Sequence, residues 1–181
     1  QYLLLKESYK DCILMFRLGD FYEMFFEDAK TASRELELVL TGRDCGLEER
    51  APMCGVPYHS VNNYIKKLVE NGYKVAICEQ MTDPATSKGL VEREIVRVIT
   101  PGTVIEENML ERESCRYILS VYWKKPILGC AWCDVSTGEF VVDEIKSADI
   151  AQALDQITGR LDPAEIITDD ATYLAALTTL S

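Results

Sequence analysis

Several things are scarce in this sequence, and each scarcity excludes something. No apolar run reaches the ~20 residues that span a bilayer, and no basic-then-apolar leader opens the chain, so a soluble, cytoplasmic protein is expected. No Gly-x-x-x-x-Gly-Lys-Ser/Thr stretch occurs, so no phosphate loop is expected to bind a nucleotide here. Histidine is reduced to His59, which leaves little for histidine-based catalysis or metal binding. Basic charge is short as well: 19 Lys and Arg stand against 30 Asp and Glu, a net charge of −11. Phosphate neutralisation supplies most of the affinity of nonspecific nucleic-acid binders, so a free-standing protein of that kind is excluded.

Seven cysteines (Cys12, Cys45, Cys54, Cys78, Cys115, Cys130 and Cys133) are odd in number, scattered, and mostly embedded in apolar runs. That usage fits reduced core thiols better than a disulfide framework. Cys130-Ala-Trp-Cys133 is a lone C-x-x-C without a second pair, and two positions of one strand explain it better than zinc or redox chemistry. No metal is expected.

The acidic excess is uneven. Between Ser60 and Thr100 six basic residues face five acidic ones, whereas between Asp134 and Asp170 ten acidic residues face only Lys146 and Arg160. The first region tolerates a polyanion and the second repels it, which points to two domains with different partners.

Hydrophobic periodicity supports the division. Tyr2 to Lys10 reads as a short helix, Cys12 to Phe16 as a buried strand, and Gly19-Asp20 as the turn into a longer helix that runs to about Leu38 with Asp20 as its N-cap. Val39 to Thr41 reads as extended. The prolines and glycine of Pro52-Met-Cys-Gly-Val-Pro57 prevent a helix there. Ser60 is the expected cap of a helix ended by Asn71-Gly72. Lys74 to Met81 and Glu94 to Thr100 read as strands separated by the loop Thr82 to Gly89, and Pro101-Gly102 as a stop.

After a charged connector, Glu106 to Glu113, three strands follow at Arg116–Trp123, Gly129–Val135 and Glu139–Ile145, then a helix at Ala148–Leu161, a strand at Glu165–Thr168 and the start of a helix at Thr172–Leu180. That order is the opening of a ribonuclease-H-like domain. The fold class is therefore α/β, with an α+β mixed-sheet unit over residues 1–105, a linker over 106–114 and an incomplete ribonuclease-H-like unit over 115–181.

The most informative segment is Arg17-Leu-Gly-Asp-Phe-Tyr-Glu-Met-Phe-Phe26, where Phe21 and Glu23 stand two residues apart just after the Gly19-Asp20 turn. A Phe wedge can unstack base pairs and a nearby carboxylate can accept a hydrogen bond from the disturbed base. The same letters also fit a buried helical stripe, Phe21, Met24 and Phe25, with Asp20-x-x-Glu23 as a capping box. The alternatives predict different proteins, one with Phe21 enclosed and one with it presented.

Taken in order, Gly19-Asp-Phe-Tyr-Glu-Met-Phe25, Pro52-Met-Cys-Gly-Val-Pro-Tyr-His59, Val75-Ala-Ile-Cys-Glu-Gln80, Asp83-Pro-Ala-Thr-Ser-Lys-Gly89, and Val91-Glu-Arg93 through Thr100-Pro-Gly-Thr103 resemble the N-terminal domain of the bacterial MutS family of DNA mismatch-repair proteins. The likeness is nearly continuous from about residue 2 to 110, and the remainder resembles the start of that family's connector domain. It implies recognition of mismatched double-stranded DNA, with Phe21 wedging from the minor groove beside a mispaired or unpaired base and Glu23 bonding that base. Arg43 and Arg93 match backbone-contacting arginines of the family. The resemblance also implies a longer, ATP-driven, magnesium-using, homodimeric protein that meets a MutL-type repair factor partly through the connector domain, in a cytoplasmic, nucleoid-associated setting. The ATPase lies in later domains of such proteins, so this chain is expected to be non-enzymatic and to hold no cofactor.

Two other functions compete. Asp134, Glu139 and Asp143 fall on the opening strands of the ribonuclease-H-like unit, where nucleases and resolvases place carboxylates for two magnesium ions. The acidic second unit also suits a protein-docking module.

Overall fold

The structure, a computed structural model, describes residues 1–46, 48–82, 91–103 and 116–168. The chain divides into two compact units, Gln1–Thr100 and Pro101–Ser181. The connector Glu106–Glu113 and the helix expected at Thr172–Leu180 lie outside the described residues.

The first unit opens with helix α1 (Tyr2–Ser8) and strand β1 (Cys12–Leu18). Gly19 and Asp20 then form a two-residue hairpin loop, with Gly19 at φ +60, the glycine-first chemistry of a tight turn. The next element departs from expectation. Phe21–Phe25 is strand β2, and helix α2 begins only at Phe26 and ends at Leu36. Asp20 is thus a turn residue, not an N-cap, and Asp20-x-x-Glu23 is no capping box. The cause is tertiary: β2 pairs antiparallel with β1 on one side and with β4 (Ala51–Pro57) on the other, so five residues of neutral local preference become a central strand. The corner into α2 is tight, and Phe26 has a positive φ of 54, a conformation an aromatic residue adopts only when its surroundings hold it.

Strand β3 (Thr41–Arg43) begins two residues later than expected, leaving Val39 exposed. The Pro-rich segment is β4 itself. After a 3₁₀ turn at Tyr58–Ser60 comes α3 (Val61–Glu70); Ser60 stands at its N-cap, but the hydroxyl donates to the Pro57 carbonyl and caps nothing. Gly72, at φ +84, ends the helix, and β5 (Lys74–Gln80) and β6 (Arg93–Ile99) complete a six-stranded mixed sheet in the order β3-β4-β2-β1-β5-β6. The parallel pair is β1 and β5, joined through the helices, as a parallel connection requires.

Burial follows the strand period. Tyr22 and Met24 point to one face and are buried, as are Ala29 and Ala32 of α2 and Ile65 and Leu68 of α3. On the opposite face Cys12, Leu14, Phe16 and Phe25 pack with Tyr2 and Leu5 of α1. Asp28 ties that helix down: its carboxylate accepts from the Tyr2 hydroxyl at 2.7 Å, the Leu14 amide at 3.1 Å and Lys6 Nζ at 2.8 Å. A buried carboxylate needs such a full set of partners.

In the second unit β7 (Tyr117–Lys124), β8 (Ile127–Asp134) and β9 (Glu139–Lys146) form an antiparallel meander, α4 (Ile150–Leu161) crosses one face, and β10 (Glu165–Thr168) returns parallel to β7. The order β10-β7-β8-β9 is the expected ribonuclease-H-like arrangement. Leu119, Val121, Leu128, Cys130 and Trp132 are buried against Ala153, Leu154 and Ile157 of α4, whose N-cap Asp149 accepts from the Ala151 amide at 2.9 Å. Gly102 belongs to this unit: a Cβ there would stand 2.4 Å from Cγ1 of Ile118.

Cys12, Cys54 and Cys78 are buried in the first unit, and burial pushes each thiol up to about 11, so these are inert core groups. Cys130 is buried and Cys133 lies half-buried three residues on, hence on the opposite face of β8, so the pair cannot close on one metal.

Candidate nucleic-acid interface

Phe21 is 47% exposed although both flanks of its strand are paired. It sits at the first position of β2, opposite Leu18 and Pro57, where the sheet ends and the hairpin turns. The enclosed helical stripe is excluded. Because strand side chains alternate, Glu23 shares the face of Phe21 while Tyr22 and Met24 anchor the strand from the other side. The Phe-x-Glu spacing places ring and carboxylate side by side.

Two other sequence motifs converge on the hairpin. Gln80 accepts through its side-chain carbonyl from the Gly19 amide at 3.0 Å, and Glu79 accepts from the Tyr22 hydroxyl. The Tyr58 amide donates to the Asp20 carbonyl at 2.9 Å. Arg17 completes the brace: its Nε donates to the Gly19 carbonyl while its guanidinium lies 4.0 Å from the centre of the Tyr58 ring. Burial, reinforced by Glu79, pushes the Tyr22 phenol up to about 12. His59 is exposed beside Tyr58 and takes no part.

Glu23 is not free. Its Oε2 accepts from Nη1 of Arg43, reached from β3 across the intervening β4; the Glu23 side chain is 17% exposed and the Arg43 side chain 45%. Directly opposite Glu23 on β4 stands Gly55. A Cβ at that position would come within 3.3 Å of the Tyr22 carbonyl and 3.4 Å of Glu23 Cγ, so the missing side chain leaves Glu23 room to lie against the sheet.

Arg93 begins β6, at the same end of the sheet as Phe21 but three strands away, about 14 Å at ordinary strand spacing. Its Nε donates to the Arg17 carbonyl at 2.9 Å and its Nη1 to Gln1 Oε1 and the Val91 carbonyl at 2.9 and 3.0 Å, with the guanidinium 5.0 Å from the Phe16 ring centre. Both arginines singled out in the sequence therefore have internal partners. Sequence reasoning missed Arg17, Tyr58 and Gly55. Their roles depend on cross-strand register, although Gly55 and Tyr58 lie inside a motif already noticed.

The carboxylates of the nuclease alternative do not assemble. Asp134 pairs with Glu139, but Asp143 pairs with Cys130, four residues along β8 and so ~13 Å away, and binds Arg160 at 3.4 Å. Paired metal ions need ligands around centres only ~4 Å apart. Asp134 Oδ1 is taken by the Ser136 amide and hydroxyl at 2.8 and 2.6 Å, a turn bond that, with others to Thr137 and Arg116, outweighs burial and lowers its carboxyl pKa. Among the described residues no group of three His, Cys, Asp or Glu is placed to hold a metal ion.

Fold and site together define a class: a mixed-sheet unit that presents an aromatic ring and a masked carboxylate at a braced hairpin, followed by a ribonuclease-H-like sheet. Comparison with known proteins gives the particular family. Residues 1–108 match MutS domain I and residues 116–176 match MutS domain II, and the chain belongs to the MutS family. It is 56% identical over 167 residues to the DNA mismatch repair protein MutS of Acetivibrio thermocellus, covering 92% of this chain and 19% of that protein. The proteins of the same name from Clostridium tetani (57% over 167 residues, 92% of this chain and 19% of that protein) and Clostridioides difficile (55% over 177 residues, 98% and 18%) are similarly related. The chain spans about a fifth of the length of these relatives.

Proposed function

We propose that this chain recognises mispaired or unpaired bases in double-stranded DNA during mismatch repair, Phe21 entering from the minor groove and Glu23 accepting a hydrogen bond from the disturbed base. The observation that carries this reading is the exposure of Phe21 at the first position of a central strand whose other four residues are buried or half-buried. A mispaired base has already lost pairing and stacking energy, and unstacking one step costs a few kcal/mol, so a wedge kinks the duplex most easily at the defect. Discrimination then comes from deformability, not from sequence. Glu23 is favourable beside DNA only where the base offers a donor or where a proton is taken up. Arg93 would contact the phosphate backbone through Nη2, since its Nε and Nη1 are committed within the unit, whereas Nη1 of Arg43 is taken by Glu23.

The wider proposal is that the longer protein is a homodimeric, ATP-driven and magnesium-using machine, cytoplasmic and nucleoid-associated, with the second unit helping to engage a MutL-type repair factor. No residue of this chain is assigned to ATP or magnesium, and its own part is non-enzymatic. No helix of the described residues is long and apolar enough to cross a membrane.

Fluorescence anisotropy with mismatched and fully matched duplexes of one sequence tests the recognition step. The chain should prefer the mismatch, with Kd no tighter than about micromolar, because a body of net charge −11 lacks a surrounding clamp. Phe21→Ala should abolish the preference while leaving thermal unfolding intact. Equal binding of both duplexes by wild type and variant refutes the wedge, and nanomolar binding by this chain refutes the need for a clamp.

A further inference from the structure

Glu23 faces an electrostatic difficulty: a carboxylate brought to a duplex meets one negative charge per ~1.7 Å of helix axis. We propose that Arg43 is a positioning residue for Glu23, holding the carboxylate flat on the sheet beside Phe21 and masking its charge, so that Glu23 discriminates between duplexes instead of repelling both. This rests on the reading of Phe21 and Glu23 given above.

Three observations support it. The guanidinium and the carboxylate are directly hydrogen-bonded although their strands are not neighbours, so the contact is made across β4. Directly opposite each partner β4 is small, with Gly55 opposite Glu23 and Ala51 opposite Arg43, while Met53 between them packs against the core of that face. The carboxylate is also the more enclosed partner, so the arginine covers it. Arg17, the other cation of the hairpin, pairs with Tyr22 in register and therefore lies on the opposite face, where it stacks on Tyr58. It cannot replace Arg43.

A phosphate-contacting arginine and a counter-ion for Glu23 give different double-mutant cycles. The test measures matched and mismatched duplex binding by the 181-residue chain for wild type, Arg43→Met, Glu23→Gln and the double variant, with thermal melts to confirm folding. Arg43→Met should lower the mismatch-to-match affinity ratio about threefold to tenfold, and Arg43→Lys should restore part of it. In the Glu23→Gln background, where no charge needs masking, adding Arg43→Met should change the ratio by less than about twofold. Equal weakening of both duplexes by Arg43→Met, with losses that add to those of Glu23→Gln, makes Arg43 an independent phosphate contact and overturns the proposal. A readout without DNA guards the case in which binding is too weak: the Arg43 side-chain N–H resonances should be exchange-protected in the wild type and lose protection in Glu23→Gln. Absence of that protection in the wild type removes the pair itself. Loss of mismatch preference in Phe21→Ala is a separate result that bears on the wedge alone.

Discussion

Both units expose a phenylalanine on a sheet, and the two exposures differ in kind. Phe140 of β9 is 68% exposed among apolar neighbours of the same face, including Val142 at 67%, and Tyr122 of β7 and Ile167 of β10 are exposed on that face as well. Phe21 is less exposed, at 47%, yet it stands at a strand end next to a hairpin bond network and a paired carboxylate. Exposure by itself therefore says little. What sets Phe21 apart is that the residues around it are spent on holding the backbone beneath it, whereas among the described residues nothing comparable steadies Phe140.

The comparison can be broken most severely within β2. Met24→Ala, which empties a fully buried site, should cost about 2–5 kcal/mol in urea unfolding of the first unit, while Phe21→Ala should cost under about 1 kcal/mol. Similar losses at the two positions would mean that Phe21 is a core residue. In the second unit, Gly102→Ala drives a methyl into β-branched Ile118 and should destabilise by about 1–3 kcal/mol, with mismatch preference unchanged. A fall in preference with that variant would tie the second unit to recognition.

A smaller effect concerns the hairpin brace. The buried Tyr22 phenol is raised from 10.0 to about 12, so its contribution is complete below the unfolded value and is lost as pH climbs through the folded one. The ultraviolet difference spectrum between wild type and Tyr22→Phe should titrate near 12, and Glu79→Gln should lower that midpoint without returning it to 10.0, because burial is the larger cause. Least of all is expected from Phe140→Ser: stability within about 0.5 kcal/mol and unaltered DNA discrimination. A change of preference there would erase the distinction between the two rings.

Much of the fold was legible in the sequence, and the failures have a common cause. The strands β5 and β6 and the helix α4 have long, one-period patterns closed by glycine, proline or a good cap, and their observed limits fall within two residues of expectation. Phe21–Phe25 has neither length nor a unique period: Phe21, Met24 and Phe25 satisfy a helix, Tyr22 and Met24 a strand. The decision lay in β1 and β4, which lie on either side of it in the sheet but apart from each other in the chain. The Pro52–Pro57 segment likewise disclosed that it is not a helix but not that it is a central strand. At the site, the residue types and spacing of Phe21, Glu23, Arg43 and Arg93 were visible through the motifs. The pairing of Glu23 with Arg43 was not, since it depends on the register of β3, β4 and β2 together.

The two-residue loop at Gly19-Asp20 has a thermodynamic consequence. A ring mounted one residue beyond so short a connection, with hydrogen-bonded strands on both sides, has almost no backbone freedom left to surrender on association. The conformational entropy of insertion therefore falls on the duplex, and a target that is already loosened loses less.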